Sequence, residues 1–301
     1  MIQKKRVIAL GFFDGIHIGH AALMKRVLEV GERTNLIPSV ITFDTHPQNL
    51  VDGKSIPLIN SSEDRAGLLR REFGIDDIIF LHFDKATVSM TWDKFIIHLI
   101  EEFGARHLVA GADFKFGCRG EGNSRLLAEK CAEIGIGCDI IPDVTHDGIV
   151  ISSTYIRELL AEGNIGRANE FLGHPHVLTD VVRYGYKLGR TLGTPTINMR
   201  FSPGVLIPAF GVYATKVYLE GEEEQIGVTN IGTRPTVDNS DNVTAETHIL
   251  NFQRNLYGHQ VRIEFHKRLR PEVKFSNIDE LKAQIHKDCA SSSEYFDKSN
   301  P

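Results

Sequence analysis

The 301-residue chain has four cysteines, Cys118, Cys131, Cys138 and Cys289, with no CxxC spacing and no histidine pattern of the zinc-site kind. That points away from a disulfide framework or a thiolate metal module, and toward free thiols in a reducing cytosol. It also lacks a basic excess. Its 34 Lys and Arg against 39 Asp and Glu give a formal charge of -5, where a dedicated nucleic-acid binder carries a basic stripe. Long apolar runs are missing as well. The opening MIQKKRVIALGFFDG is basic at its start, but its apolar stretch stops at Asp14, too short for a signal h-region. No later run reaches membrane-spanning length, so the expectation is a cytoplasmic protein with neither a membrane nor a nucleic-acid partner. Internal repeats are absent too, since LGTPT (192–196) and IGTRPT (231–236) echo one another only once. What is present, 42% hydrophobic and 24% charged residues, is the composition of a globular chain long enough for one large domain or two ordinary ones.

The first half alternates two kinds of segment. RVIAL (6–10), IPSVITF (37–43), DDIIFLHF (76–83), RHLVAG (106–111) and CDIIPDV (138–144) read as strands. AALMKRVLEVGERT (21–34), SSEDRAGLLRREFG (61–74), TWDKFIIHLIEEFG (91–104) and SRLLAEKCAEIG (124–135) carry helical spacing with start and stop signals. This alternation predicts an α/β domain with a doubly wound, mostly parallel sheet. Such sheets bind ligands off the carboxyl ends of their strands, where Gly11–His20 and Gly111–Gly122 fall. STYIRELLAEGNIGRANEFLG (153–173) reads as two short helices, followed by HPH as a linker. Beyond it the pattern changes to VLTDVVRYG, GVYATKVYLEG, EEQIGVTNIG, VTAETHIL and HQVRIEFHKRLR, short strands without helices between them. They predict a small antiparallel barrel or sandwich, closed by an amphipathic helix over 276–296. The domain boundary is placed near residue 175, giving domains 1–174 and 175–301.

Two polar constellations stand out. In GFFDGIHIGH (11–20) the glycines allow a tight turn and close approach of a ligand, and the following helix offers unpaired N–H groups. His17 and His20, three residues apart, can point to one side and stabilise charge developing on an α-phosphate; ordinary packing imidazoles are the alternative. In ISSTYIRELL (151–160), Ser152, Ser153 or Thr154 can cap a helix. With Thr154 as the cap, Arg157 sits in the first turn, where a cation opposes the helix dipole unless an anion binds beside it. The second constellation is GYKLGRTLGTPTINM (185–199), whose three glycines can turn backbone N–H groups toward phosphates. Thr196 and Asn198 share one face of an extended segment and are hard donors suited to Mg²⁺ held jointly with ATP. In VTAETHIL (243–250), Glu246 can accept the proton of an alcohol attacking a γ-phosphate; an exposed strand carboxylate is the alternative.

Taken together, GxFDGxHxGH and a distant SSTxIR, with TFDTHP (42–47) and GADFKFGCRGEGN (111–123) between them, resemble the nucleotidylyltransferase module of bacterial bifunctional riboflavin kinase/FAD synthetases. The resemblance implies that His17 and His20 act in adenylyl transfer, and that Gly11, Phe12, Asp14, Gly15, Ser153, Thr154 and Arg157 bind ATP. It places Asp113, Phe114 and Phe116 near the flavin, although Phe43, Phe114 and Phe116 serve equally well as core aromatics. GRxLGxPTxN, GVY, NIGxRPT, ExHIL, LYG, LRPExKF and DELxxQIxxD then follow in the order of the family's riboflavin kinase module, a small β-barrel with a C-terminal helix. Carried over, Gly189, Arg190, Gly193, Thr196 and Asn198 bind ATP, Thr196 and Asn198 hold Mg²⁺, and Glu246 is the base for the riboflavin 5′-hydroxyl. Lys187 is either part of that loop or solvated. Thr194 and Ile197 stand where the family usually has Phe and Ala, and Asp180 where Gly is common. The expected activity is phosphorylation of riboflavin to FMN and adenylylation of FMN to FAD, with ATP, riboflavin and FMN as small-molecule substrates. A chain with one live module, or a flavin-binding regulator without turnover, are the competing readings. Oligomeric state is left open.

Overall fold

The computed structural model describes residues 4–45, 55–82, 89–184, 193–233 and 243–299. Contacts divide the chain into two units, Met1–Ser153 and Thr154–Pro301.

In the first unit the apolar run RVIAL forms strand β1 (Arg6–Leu10), whose last four residues are all buried. A strand buried on both faces belongs in the middle of a parallel sheet, and β1 is central. With β2 (Ile37–Phe43), β3 (Asp77–Leu81) and β4 (Ala105–Gly111), and beyond the small hairpin β5 (Lys115–Phe116) and β6 (Gly122–Asn123), comes β7 (Gly137–Ile141). The sheet order is β3-β2-β1-β4-β7, every pair parallel. Among the described residues four helices cover it: α1 (Ile18–Thr34), α2 (Ser62–Phe73), α3 (Trp92–Phe103) and α4 (Ser124–Ile134). Ile8, Leu10, Ile41 and Leu108 pack with Phe95, Ile96 and Leu99 of α3 and with Leu127 and Cys131 of α4. The pleat turns Val7, Ala9, Val40 and Val109 to the opposite face, and α1, which contacts β1, β2 and β4, buries Met24, Val27 and Val30. At about 1.5–3 kcal/mol for each large apolar side chain removed from water, these two layers dominate the unit's stability. A second small hairpin, β8 (Thr145–His146) with β9 (Ile149–Val150), completes it; neither hairpin was expected from the sequence. The chain order reverses between β1 and β4, so the crevice for a ligand opens at their carboxyl ends.

The second unit opens on α5 (Ser153–Glu162) and α6 (Ile165–Leu172) and continues through β10 (His176–Val181), β11 (Thr196–Met199), β12 (Gly211–Leu219), β13 (Gln225–Thr233), β14 (Val243–Ile249), β15 (Gln260–Arg270) and α7 (Ile278–Ser299). The HPH segment is thus only partly a linker, because His176 already pairs with Phe265 as the first residue of β10. The six strands form one antiparallel sheet in the order β10-β15-β12-β13-β14-β11. Among the described residues its two edges meet at one bridge, between Arg183 and Asn198, and the curled sheet is a half-barrel. Tyr213, Val217, Ile231, Ile263 and Phe265 fill the interior. Thr215, Thr229 and Thr247 satisfy one another there in a ladder of hydroxyl bonds of 2.9 and 2.8 Å. Helix α7 is tied down by Asp288, which accepts from Arg270 at 2.7 Å, and by Ser292, which donates to the Gly227 carbonyl at 3.0 Å.

Candidate active sites

The turn after β1 is held in a conformation that side chains resist. Phe13 and Ile16 have φ of 50° and 45°, in the left-handed region, and each is 1% exposed. Such backbone costs about 1–3 kcal/mol per residue and persists only where packing fixes it. Gly11 has no alternative, since a Cβ there would lie 2.7 Å from the Phe13 ring. The Asp14 carboxylate, 1% exposed, accepts from the Ile59 amide at 2.9 Å and from the Asn60 amide at 3.3 Å, and Ser153 donates to the Asp14 carbonyl at 3.0 Å.

His17 caps α1 by accepting the His20 amide on Nδ1 at 3.3 Å, which leaves the neutral ring's proton on Nε2. The two imidazoles stack, with centroids 3.5 Å apart and planes 14° from parallel. His20 Nδ1 is buried without a hydrogen-bond partner among the described residues. Burial, then the neighbouring His17 and Arg65, push the His20 imidazole well below its usual range.

Both rings line a cavity of about 340 Å³ that also receives Gly11, Phe12, Asp113, Phe114 and Ser153. Its floor includes Leu10, Phe43, Gly111 and Ile141, the terminal residues of β1, β2, β4 and β7. Asp14, Gly15 and Phe116 are not among the lining residues. Asp14 anchors the turn from below, Gly15 supplies a φ of 85°, and Phe116 lies in the core 5.6 Å from Phe95 and stacked on Phe114. The expected first-turn position of Arg157 needs correction. The helix starts at Ser153, one residue before Thr154, which makes Arg157 its fifth residue and removes the conflict with the dipole. Thr154 and Arg157 belong to the second unit, the former exposed and the latter half-buried.

In the half-barrel, register assembles the second group. Asn198 of β11 lies opposite Glu246 of β14, which in turn lies opposite Asn230 of β13; Thr196 lies opposite His248. Directly paired residues project from the same face, so these five share one. Asn198 is 6% exposed, and its Oδ1 is buried with no hydrogen-bond partner among the described residues. His248 donates from Nδ1 to the Pro195 carbonyl at 2.9 Å. Two cavities adjoin this face, and Asn198 is the one of the five that lines neither. One, of about 290 Å³, takes in Thr194, Thr196, Asn230, Glu246, Phe275 and Leu281; the other, of about 520 Å³, takes in Gly193, Pro195, Thr196 and residues 251–257. Thr196 and His248 line both. Gly189, Arg190 and Lys187 lie outside the described residues. Of the departures, Thr194 lines the smaller cavity, Ile197 the larger, and Asp180 accepts from the Arg200 amide at 2.9 Å.

Sequence reasoning missed Asn230, Arg270, Glu272 and Asp288, all of which line the smaller cavity. Glu272 accepts from Asn230 at 3.2 Å and packs against Gly232, leaving no room there for a Cβ. The signal lay in NIGxRPT, LRPExKF and the closing helix motif, whose individual side chains carried no assigned role.

The comparisons with known proteins divide the chain in the same way. The FAD synthetase family model matches residues 1–155 and the riboflavin kinase model residues 172–296. A bifunctional riboflavin kinase/FMN adenylyltransferase from Listeria monocytogenes is 34% identical over 97% of this chain and 93% of its own length. The protein of the same name from Escherichia coli K12 is 35% identical over 99% and 95%. A solved chain from Streptococcus pneumoniae, described as a macrolide-efflux protein, superposes with a TM-score of 0.84 at 28% identity, covering 96% of this chain and 94% of that one. Among the described residues no helix is long and apolar enough to cross a membrane. On these matches, which run nearly end to end through both units, the chain belongs to the bifunctional riboflavin kinase/FMN adenylyltransferase family.

Proposed function

We propose that this chain converts riboflavin to FMN in the half-barrel and FMN to FAD in the parallel-sheet unit, using one ATP at each step. The observation that carries the reading is the presence, in two separate units, of separate cavities, the one in the parallel-sheet unit lined by His17 and His20 and those in the half-barrel meeting at Thr196.

In the kinase step the riboflavin 5′-hydroxyl oxygen attacks the γ-phosphorus of ATP, Glu246 takes the hydroxyl proton, and ADP leaves. The shared wall supports this assignment. Thr196 borders both cavities, so a nucleotide in the larger, polar one presents its terminal phosphate toward an acceptor in the smaller, where Phe275, Leu281 and Ile285 suit a flavin ring. Asn198 Oδ1, a buried hard oxygen lacking a partner, and the Thr196 hydroxyl on the same face fit Mg²⁺. When bound with ATP, the metal neutralises phosphate charge. Gly193 and the adjoining Gly189 and Arg190 are assigned to the ATP loop.

In the adenylyl step a phosphate oxygen of FMN attacks the α-phosphorus of a second ATP, and pyrophosphate leaves. His17 donates from Nε2 and His20 stacks behind it; both meet the charge that grows on the α-phosphate. Gly11, Phe12 and Ser153, which line the cavity, are assigned with Thr154 and Arg157 to the binding of ATP. Asp14 and Gly15 shape the turn, Asp113 and Phe114 border the flavin, and Phe116 backs Phe114. The functional boundary is drawn at 174/175, and the reaction is placed in the cytoplasm, in keeping with four free thiols.

The test is direct. Purified protein incubated with riboflavin and MgATP is expected to yield FMN, then FAD and pyrophosphate, resolved by chromatography. FMN that never proceeds to FAD refutes the adenylyl half, and no FMN refutes the kinase half.

A further inference from the structure

The first unit buries a cation that neither reaction scheme uses. Arg65, in the first turns of α2, is 0% exposed. Its NH1 donates to the Phe12 carbonyl at 2.9 Å and to the Thr42 hydroxyl at 3.1 Å; its NH2 donates to the Phe43 carbonyl at 2.8 Å and to Ser62 at 3.2 Å. The guanidinium lies between the rings of Phe12 and Phe80, 5.3 and 5.2 Å from their centroids. Nε is buried without a hydrogen-bond partner among the described residues, and burial holds the guanidinium below its usual range against the attraction of Asp14 and Asp44. Burying a charge is expensive where its carboxylate neighbours only partly offset the loss of water, and α2 begins with this charge near the positive end of its dipole. Fold stability alone would favour an apolar side chain in its place.

Its contacts indicate what the charge is for. Phe12 follows β1 by two residues and Phe43 ends β2, so Arg65 joins the two carbonyls at the rim of the adenylyl cavity. The Phe12 carbonyl is gripped twice, because Thr42 also donates to it at 2.6 Å. All described peptide bonds are trans, and in a planar trans peptide the next N–H points opposite the carbonyl. Gripping Phe12 from one side therefore turns the Phe13 N–H to the other. Phe13 is 1% exposed, and its amide finds no partner among the described residues. A buried donor in that state costs about 1–3 kcal/mol until an acceptor arrives. Both Phe12 and Phe13 line the cavity that holds the stacked imidazoles.

We propose that Arg65 is a positioning residue for adenylyl transfer: it grips the carbonyl side of the turn after β1 so that the amide side, with the buried guanidinium behind it, receives the phosphates of ATP. The inference rests on the adenylyl reading of this cavity. It assigns Arg65 no contact with substrate. Its effect passes through the Phe12–Phe13 peptide and through its field, the same field that helps hold the His20 imidazole neutral.

The experiment compares Arg65→Met and Arg65→Lys in the full-length protein. FAD formation from supplied FMN is measured against MgATP concentration, and FMN formation from riboflavin serves as an internal control in the other unit. For Arg65→Met the expected result is at least a hundredfold loss of kcat/KM for ATP in adenylylation, most of it in KM, with kinase kinetics within twofold of wild type. Arg65→Lys keeps the charge but not the double carbonyl grip, and is expected to lose about tenfold. In ¹³C-histidine NMR the His20 titration moves upward in Arg65→Met and stays in Arg65→Lys, with Tm unchanged in both; loosened packing would raise it as well, but with a lowered Tm. Adenylylation within twofold of wild type in a folded Arg65→Met overturns the proposal. If Arg65→Met does not fold, Arg65→Lys decides: a loss of fivefold or more at an unchanged Tm supports positioning, and a loss below twofold overturns it. Wild-type protein that makes no FAD from FMN would instead remove the adenylyl reading on which the proposal rests.

Discussion

Lowering the pH should weaken the half-barrel through a single imidazole. His176, the first residue of β10, is 1% exposed, and neither ring nitrogen has a hydrogen-bond partner among the described residues. Burial, reinforced by His174, pushes its pKa down from 6.5 to about 3. The sign follows from linkage. A folded-state pKa below the unfolded one makes protonation favour the unfolded chain, so the contribution is fully present above pH 6.5 and is lost as pH falls toward 3. Each unit of pH below 6.5 costs about 1.4 kcal/mol; integrated between pH 7 and pH 5, with the folded ring still neutral, the loss is about 2 kcal/mol. The perturbation that isolates it is His176→Leu, which removes the proton site together with two unsatisfied buried nitrogens and packs against Phe265 as the imidazole does. Hydrogen exchange of the β10 and β15 amides, corrected for intrinsic rates, reads the opening free energy of this part of the sheet at the two pH values. Other titrating groups act equally on wild type and variant and cancel in the difference. Wild type is expected to lose about 2 kcal/mol more than His176→Leu over this interval. Equal losses, within about 0.5 kcal/mol, would refute the view that a buried neutral imidazole sets the acid sensitivity.

Four substitutions separate the two sites. Glu246→Gln is expected to reduce FMN formation by about 10²-fold or more, the usual contribution of a general base, while FAD formation from supplied FMN survives; equal loss of both activities would refute the two-site assignment. His20→Ala should do the reverse in the same pair of assays. Gly11→Ala pushes a methyl against the Phe13 ring at 2.7 Å and should abolish adenylylation at a stability cost of about 1–3 kcal/mol, leaving kinase kinetics unchanged. Asp288→Ala leaves Arg270 without its carboxylate and loosens α7 where it lines the smaller cavity of the half-barrel, so on the proposed reading KM for riboflavin should rise while the adenylyl step keeps its own KM values.

Much of the fold was legible because both periodicities are strong. RVIAL and IPSVITF are continuous apolar runs, which only a doubly covered strand accommodates, and the matching helices carry serine and glycine at their ends: Ser61 caps α2 with a bond to the Asp64 amide, and Gly74 closes it at φ 66°. The half-barrel was legible as a set of short strands but not as an ordering of them. Nothing local makes β10 pair with β15 rather than β11, and the bridge from Arg183 to Asn198 between the sheet's edges depends on residues far apart in the chain. The hairpins β5–β6 and β8–β9 went unread because two-residue strands leave no period to detect.

The same division governs the sites. A residue is legible when its neighbours in sequence are its neighbours in space. His17 and His20 are such a pair, because one helical turn brings them into stacking contact, and so are Thr196 and Asn198, which the pleat sets on one face. Asn230 meets Glu246 only through the β13–β14 register, and Glu272 meets Asn230 only through the fold of the segment after β15. Arg65 is the extreme case. In sequence it is one of several charges in SSEDRAGLLRREF, and the helical pattern gives it no more weight than Arg70 or Arg71. Its surroundings come from Phe12, Thr42, Phe43 and Phe80, drawn from the ends of β1 and β2 and from β3. Burying that guanidinium is unfavourable for folding by itself, since the loss of water outweighs the attraction of Asp14 and Asp44. Local pattern reads what stabilises an element. A charge retained against stability becomes visible only when its carbonyl partners and its flanking rings are seen together.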